Sequence, residues 1–256
     1  MAKKNGRSKP LSINTISQTT PKINNEIKLK KEDLLNVDPL TKNQNLFFSF
    51  YDENIPFLSL LGFAGCGKTF IALYKALNQV LQRGQSIKKV VLVRSSVQSR
   101  DVGYLPGDIK EKMAVFEQPY KQICKDLFGR GDAWNLLKAD NKIEFESTSF
   151  LRGTTYNNSV VIVDECQSLN WHEINTVCTR MGNNSRLIFC GDNRQNDLIK
   201  SKNDQSGFKT FTEVAKHIPS YFSINFEIDD IVRSGICKEW ILAEYNYFNY
   251  FNHFNK

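Results

Sequence analysis

The sequence is poor in the residues that build metal centres and cross-links, and it has no long apolar run. It contains three His and six Cys among 256 residues, and no two cysteines form a C-x-x-C pair. This spacing argues against a zinc site or a disulfide framework and favours scattered reduced thiols. No apolar stretch approaches the roughly 20 residues of a membrane span. The charged N-terminus has no apolar segment behind it, so we expect no secretory signal and a cytoplasmic location.

Positive charge is present in excess and is unevenly placed. The net charge is +7, and residues 1–40 carry eight Lys or Arg against four Asp or Glu. Residues 1–36 are rich in Ser, Thr, Asn and Lys, so we predict a flexible basic N-terminal tail there. Such an arm can contact nucleic-acid phosphates in a salt-dependent way. The alternative is a solvated tail in a chain that is rich in Lys and Asn.

Apolar segments of strand length alternate with segments of helical length along most of the chain. The pattern predicts strands at residues 57–61, 88–94, 142–146, 160–163, 186–190 and 220–226. It predicts helices at residues 69–81 and 107–127 and after the last strand as far as 243. Continuous apolar strands between helices are typical of a mostly parallel sheet with helices on both faces. The fold class is therefore α/β, with a single core.

One eight-residue segment carries the strongest chemical signal. It follows the first predicted strand and reads G-x-x-x-x-G-K-[ST], the phosphate-binding P-loop pattern. Its glycines let backbone N–H groups face a phosphate at a helix N-terminus. Its lysine would contact the β- and γ-phosphates of ATP, and its threonine hydroxyl would hold Mg²⁺. The predicted nucleotide-binding residues are Gly62, Phe63, Ala64, Gly65, Cys66, Gly67, Lys68 and Thr69.

Cys66 adds a candidate reactive thiol to this loop. A thiol at a helix N-terminus and beside a lysine has its thiolate form favoured by the helix dipole and the positive charge. We therefore expect Cys66 to react with an alkylating reagent before the other cysteines, and more slowly when ATP and Mg²⁺ are bound. The alternative is that its side chain points into packed protein and stays inert.

Two acids follow the buried strand at residues 160–163. Ligands of open α/β sheets bind at the carboxyl ends of strands, which is where Asp164 and Glu165 stand. We predict that Asp164 holds the Mg²⁺ shell and that Glu165 orients or deprotonates the attacking water. An acidic pair is also a common strand terminus, so the assignment depends on the P-loop.

Two further residues are candidates for contact with the γ-phosphate. Gln195 follows the strand at 186–190, where it could reach the γ-phosphate or the catalytic water; the alternative is a polar loop residue. Arg233 is the candidate arginine finger, a residue type that stabilises charge on the transferring phosphoryl group. The alternative for Arg233 is an ordinary surface residue at a helix start.

These residues together resemble the PhoH (phosphate-starvation-inducible) family of P-loop ATPases, in the short form typical of bacteriophages. Its core is similar to the first motor domain of superfamily 1 helicases. The likeness runs from about residue 39 to 240. It rests on the P-loop and on the segments at 103–112, 150–158 and 163–167, and Gly191, Asp192, Gln195 and residues 231–234 extend it. Its specific part is Gly-Tyr-Leu-Pro-Gly-Asp at 103–108 and Arg-Gly-Thr-Thr at 152–155.

The resemblance implies a RecA-like P-loop NTPase fold and helicase-like ATP hydrolysis coupled to RNA or single-stranded nucleic acid. It also implies a ring-shaped homo-oligomer such as a hexamer, with Arg233 acting within the chain or across an interface. Gln44 would be the glutamine that reads adenine. A phage-encoded protein of this kind would act in the host cytoplasm. The family usually has Thr where this chain has Cys66, and the backbone N–H groups should tolerate that difference.

Domain limits follow from these assignments. We predict the basic tail at 1–36, the RecA-like ATPase domain at 37–243 and an aromatic, Asn-rich tail at 244–256. The aromatic tail could pack on its own core or on a neighbouring subunit, stack on bases, or reflect codon bias. Two other functions stay open: a nucleoside or polynucleotide kinase, and a non-enzymatic ATP-gated scaffold for nucleic acid or a host protein.

Overall fold

A six-stranded, fully parallel sheet organises the protein. The computed structural model describes residues 27–95, 109–148, 151, 153, 155–192 and 207–254. Within them, the strands are β1 Phe57–Gly62, β2 Lys89–Arg94, β3 Ile143–Ser147, β4 Ser159–Val163, β5 Arg186–Gly191 and β6 Tyr221–Phe226. Their order across the sheet is β3-β2-β4-β5-β1-β6. Each predicted strand is present to within one residue at either end.

Helices cover both faces of this sheet. The helices of the described residues are α1 Lys42–Asp52, α2 Lys68–Leu81, α3 Ile109–Phe128, α4 Ala133–Ala139, α5 Trp171–Cys178, α6 Phe208–Ala215 and α7 Ile236–Phe254. α1, α2, α3, α4 and α7 contribute to the core on one face, and α5 and α6 to the core on the other. The predicted α/β fold, with a parallel sheet between two helical layers, is confirmed.

The two-residue period of the strands divides their side chains between these cores. In β2, Val90 and Leu92 pack into the first core, whereas Val91 and Val93 pack into the second. β4 divides in the same way, and all five of its residues are buried. A strand that is buried on both faces needs apolar residues at every position, which explains the unbroken apolar run at 160–163.

The strand order brings the chemically interesting segments to one edge. The chain leaves the sheet after Gly62 in β1, after Val163 in β4 and after Gly191 in β5, and all three points lie at the carboxyl ends of parallel strands. β5 lies between β1 and β4. The phosphate loop and the acid pair are therefore separated by a single strand.

The two predicted tails are partly folded. Leu29 is buried in the first core, and the backbone N–H of Leu35 donates to the carbonyl of Leu127 over 2.8 Å. Residues 27–36 therefore pack on the domain, contrary to the flexible tail that we assigned to 1–36, because the sequence pattern of so short a segment gave no sign of its partners. α7 continues past 243 to Phe254 without a break. In the described part of the chain, no helix has the length and apolarity to cross a membrane.

Candidate nucleotide-binding site

The phosphate loop is shaped by glycines that no other residue could replace without strain. Gly62, at the end of β1, has a φ of 122°, and a Cβ there would lie 2.0 Å from the carbonyl oxygen of Phe226 in the neighbouring strand β6. Gly67 has a φ of 74° and is the N-cap of α2. Both backbone positions favour glycine, since L side chains rarely adopt such φ values. The turn from β1 into α2 therefore has the form that the sequence pattern predicted.

Lys68 directs its charge into this loop. Its Nζ is largely buried and donates to the carbonyl oxygens of Gly62 and Phe63 at 2.8 and 2.6 Å. An ammonium group has three N–H donors. Two of them fix its position, which leaves one for a phosphate oxygen at the mouth of the loop.

Thr69 and Asp164 meet across the gap between α2 and β4. The Thr69 hydroxyl donates to Oδ1 of Asp164 over 2.7 Å, although the residues are 95 positions apart. Both groups offer oxygen ligands, which Mg²⁺ prefers, and Mg²⁺ usually keeps waters and takes substrate phosphates as further ligands. Among the described residues, no cluster of three acidic, His or Cys side chains forms a metal cage. The pair therefore suits a magnesium ion that arrives with a nucleotide.

Tyr120 is a part of the site that the sequence did not predict. Its hydroxyl donates to Oδ2 of Asp164 over 2.8 Å. Its side chain is wholly buried in the middle of α3. Burial, and next the charge of Asp164, raise the pKa of this hydroxyl well above its ordinary value, so it stays a donor. A tyrosine on a helical apolar face reads as a core residue, and no spacing connects it with the acid pair.

Glu165 is held by a neighbour. Its backbone adopts a left-handed conformation with φ of 51°. Its Oε2 accepts a hydrogen bond of 2.6 Å from Nε2 of Gln167, whose Oε1 accepts the N–H of Asp192 at 3.0 Å. This chain of contacts joins the end of β4 to the end of β5. The sequence places Gln167 in a segment of the family resemblance but predicts no role for it.

Gln44 lies against the phosphate loop, at the start of α1. Its Nε2 donates to the carbonyl of Cys66 over 2.9 Å, and its Oε1 accepts the N–H of Leu40 over 2.8 Å. The side chain is buried, and its hydrogen bond to the Cys66 carbonyl stabilises the loop. Its predicted role in reading adenine stays a prediction.

The segment before α7 forms the other wall of the loop. The N–H groups of Val232 and Arg233 point at the carbonyl of Gly65, at 3.1 and 3.3 Å. Asn43 anchors this segment, because its Nδ2 donates to Oδ2 of Asp230 over 2.6 Å. Arg233 is thus beside the phosphate loop of its own chain, and its side chain is exposed. Its role as an arginine finger stays a prediction.

The structure corrects one expectation and leaves another outside its reach. The Cys66 side chain is fully buried in the first core, with Sγ 3.9 Å from the carbonyl of Glu227. The expected rapid alkylation of Cys66 is therefore wrong, because its side chain points into packed protein. Gln195 lies outside the described residues, as do residues 103–108.

Comparison with known proteins agrees with this geometry. A family model described as PhoH-like protein matches residues 36–246. The chain belongs to the PhoH family. PhoH proteins are P-loop ATPases, and this chain has a glycine-containing phosphate-loop sequence between β1 and α2. The predicted RecA-like P-loop fold is confirmed with the family.

Bacterial proteins are among the relatives. The chain is 36% identical to "Protein PhoH2" of Bacillus subtilis (strain 168) over 149 residues. The matched region covers 57% of this chain and 34% of that relative. The chain is 34% identical to a "PhoH-like protein" of the same organism, over 72% of this chain and 56% of the relative. It is 31% identical to "Protein PhoH" of Escherichia coli (strain K12), over 71% and 51%. The chain thus spans about a third to just over half the length of these relatives.

Proposed function

We propose that this PhoH-family chain binds ATP with Mg²⁺, hydrolyses it, and couples hydrolysis to the binding or remodelling of RNA or single-stranded DNA. The observation that carries the ATPase part is the 2.7 Å hydrogen bond between Thr69 and Asp164, with Lys68 in the same loop. It joins the two groups that a Mg²⁺–nucleotide would need. The chain covers only part of its relatives, and its activity is argued from its own residues.

Each residue of the site has a chemical task in this proposal. Backbone N–H groups of the loop bind the phosphates, and Lys68 places a positive charge at the β- and γ-phosphates. Thr69 and Asp164 would hold Mg²⁺, which neutralises charge that develops on the γ-phosphoryl group. Glu165 accepts a proton from the attacking water, or orients it. Arg233 and Gln195 would contact the γ-phosphate.

The nucleic-acid part is supported by the charge of the N-terminal segment. Residues 29–32 lie beside the end of α2 and beside Lys142, just before β3, so they are at the amino edge of the sheet, whereas the phosphate loop is at the start of α2. Here they line a groove of about 270 Å³ whose cationic residues are Lys30, Lys31, Arg83 and Lys142. Residues 1–26, which precede this segment in the sequence, carry five more Lys or Arg against one Glu. Phosphate contacts by lysines of this kind are weakened by salt.

Self-assembly is supported by an apolar strip next to the phosphate loop. Ile236 and Trp240 are one turn apart on α7, and their side chains are 83% and 70% exposed. Large exposed apolar groups of this kind mark interaction surfaces. We propose that α7 contacts a second copy of the chain in a ring-shaped oligomer. We also propose that the protein acts in the cytoplasm, which would be the host's cytoplasm if a phage encodes the chain.

The central experiment measures ATP turnover of the full chain, with and without RNA and single-stranded DNA. We expect Mg²⁺-dependent turnover that nucleic acid stimulates and that Lys68→Ala abolishes. A screen of nucleosides and oligonucleotide 5′ ends as phosphate acceptors tests for a kinase. Phosphate transfer to an acceptor would show that the chain is a kinase and would refute the proposed hydrolase activity. Nucleotide binding without turnover would favour the non-enzymatic scaffold.

Partner binding is tested separately. Nucleic-acid affinity should fall steeply with salt, and deletion of residues 1–26 should lower the salt slope while sparing the buried Leu29. Equal slopes would contradict the phosphate-binding tail. Native mass measurement should detect an oligomer that Trp240→Ala weakens. Trp171→Ala, on α5 of the other helical layer, is the matched control and should leave the oligomer intact.

A further inference from the structure

Both oxygens of the Asp164 carboxylate are held by hydroxyl groups from different helices. Thr69, in the first turn of α2, donates to Oδ1 over 2.7 Å. Tyr120, in α3, donates to Oδ2 over 2.8 Å. Because each donor binds a different oxygen of the carboxylate, the plane of the carboxylate cannot turn without the loss of a hydrogen bond.

The ring of Tyr120 has no freedom to follow a turning carboxylate. It stacks on Trp134 of α4, with ring centres 6.3 Å apart and an angle of 22° between the planes. The ring of Phe145 in β3 also packs on the Tyr120 ring, with the ring centres 5.6 Å apart. Trp134 is fixed in turn, since its Nε1 donates to Glu117 over 3.1 Å. The hydroxyl is therefore presented to Asp164 by a rigid aromatic frame.

This frame matters because Oδ1, rather than Oδ2, lies beside the threonine of the phosphate loop. A carboxylate that rotated freely could turn Oδ2 towards a metal ion, or could pair with another donor. Groups that fix a metal-binding carboxylate contribute strongly to metal affinity although they do not contact the metal.

We propose that Tyr120 is a positioning residue of the magnesium site, which orients the Asp164 carboxylate so that Oδ1 and the Thr69 hydroxyl face the metal of a bound Mg²⁺–nucleotide. The inference rests on the proposed function and deepens it. Through Tyr120, α3 would contribute to the selection of metal-bound over metal-free nucleotide, although this helix lies outside the P-loop motif.

Tyr120→Phe tests this, since it removes one hydroxyl and keeps the ring in its stack. We expect the Mg²⁺ concentration for half-maximal nucleotide binding, and for half-maximal turnover, to rise by about tenfold or more. ATP affinity in EDTA should be unchanged. A merely structural role would lower the melting temperature and leave the Mg²⁺ dependence alone.

Tyr156→Phe is the matched control. Tyr156 is another buried tyrosine, and its hydroxyl donates to a carboxylate, Oε2 of Glu146, over 2.5 Å. The control should keep the wild-type Mg²⁺ dependence. Trp134→Phe thins the stack behind Tyr120 and should shift the Mg²⁺ dependence in the same direction by less, which keeps the test open if Tyr120→Phe does not fold.

Two results would overturn the inference, and they are distinguishable. Wild-type protein that binds ATP equally with Mg²⁺ and with EDTA would refute the proposed function and this inference with it. Mg²⁺-dependent wild-type binding that Tyr120→Phe, or in its absence Trp134→Phe, leaves unchanged would refute the role of Tyr120 alone.

Discussion

Gln167 donates from its side-chain Nε2 to Oε2 of Glu165 over 2.6 Å. The direction of this bond is set from the other end of the amide, because Oε1 of Gln167 accepts the backbone N–H of Asp192. A carbonyl oxygen must face that N–H, so the NH₂ group must face Glu165. The carboxylate that the proposal assigns to water activation is thus tied to the chain where it leaves β5, the strand that leads towards Gln195.

Glu165→Gln should keep ATP bound while it slows hydrolysis by about 10²–10⁴-fold, because a positioned base is worth that much. Asp164, which we propose as the metal-binding acid, is unchanged in this variant. Turnover and nucleotide binding are measured on the same preparation. Hydrolysis at the wild-type rate would refute the assignment of Glu165.

Gln167→Ala removes the amide that links Glu165 to Asp192, and with it two side-chain hydrogen bonds, one of them buried. We expect a loss of about 1–3 kcal/mol in the free energy of unfolding. Turnover should fall, though by less than in Glu165→Gln, since the carboxylate is still present. Denaturant titration and steady-state turnover check the two effects. Wild-type values in both would mean that the link is not important.

Gly62→Ala should destabilise the fold far more than Gly84→Ala. Both glycines have positive φ, 122° and 80°, so both substitutions strain the backbone. Only at Gly62 would the new Cβ meet an atom, 2.0 Å from the Phe226 carbonyl oxygen, whereas at Gly84 nothing lies within 4 Å. Denaturant titration of both variants separates steric overlap from backbone strain. Equal losses would contradict the close approach of β1 and β6.

Asp230 should make stability depend on acid. Burial by itself would raise the pKa of this carboxyl, but hydrogen bonds from Thr41, Asn43 and backbone N–H groups together lower it. A lowered pKa in the folded state stabilises the protein above the ordinary value of about 3.9, and this contribution is lost as pH falls through the folded-state pKa.

The free energy of unfolding of wild type should therefore exceed that of Asp230→Asn at pH 7, and the gap should narrow below about pH 4. Denaturant titrations from pH 3 to 7 measure the gap. Asp52→Asn is the control, since the Asp52 side chain is 68% exposed in its ion pair with Lys75, and it should change stability little. A gap that does not depend on pH would refute the stabilising role of the Asp230 charge.

Brief alkylation at pH 7.5 should modify Cys237 first and the four buried thiols, Cys66 among them, last. Cys66 is fully buried, whereas Cys237 and Cys178 are half-buried. Burial raises the pKa of the Cys178 thiol to about 11, which keeps it protonated and slow. Mass mapping reads the order directly, and Cys237→Ser should remove the fast label. Rapid labelling of Cys66 would mean that the loop opens in solution.

The sequence by itself determined the sheet and the two motifs at its edge, the phosphate loop and the acid pair. Unbroken apolar runs such as 160–163 predict strands buried on both faces, because every position must be apolar there. The loop from Gly62 to Thr69 and the pair Asp164–Glu165 are also local patterns, each set by a few adjacent residues. The parallel sheet then places both at the carboxyl ends of its strands. These parts could be predicted since their signals lie within eight residues.

The tertiary structure alone decided which side chains support that chemistry. Tyr120 reaches Asp164 across 44 positions, and Gln44 reaches the Cys66 carbonyl across 22. The sequence also left the direction of the Cys66 side chain open, and the packing of the loop against residues 227–233 turned it inward. Such contacts depend on how helices dock on the sheet, and docking is set by the shape of the whole core rather than by any short run of residues.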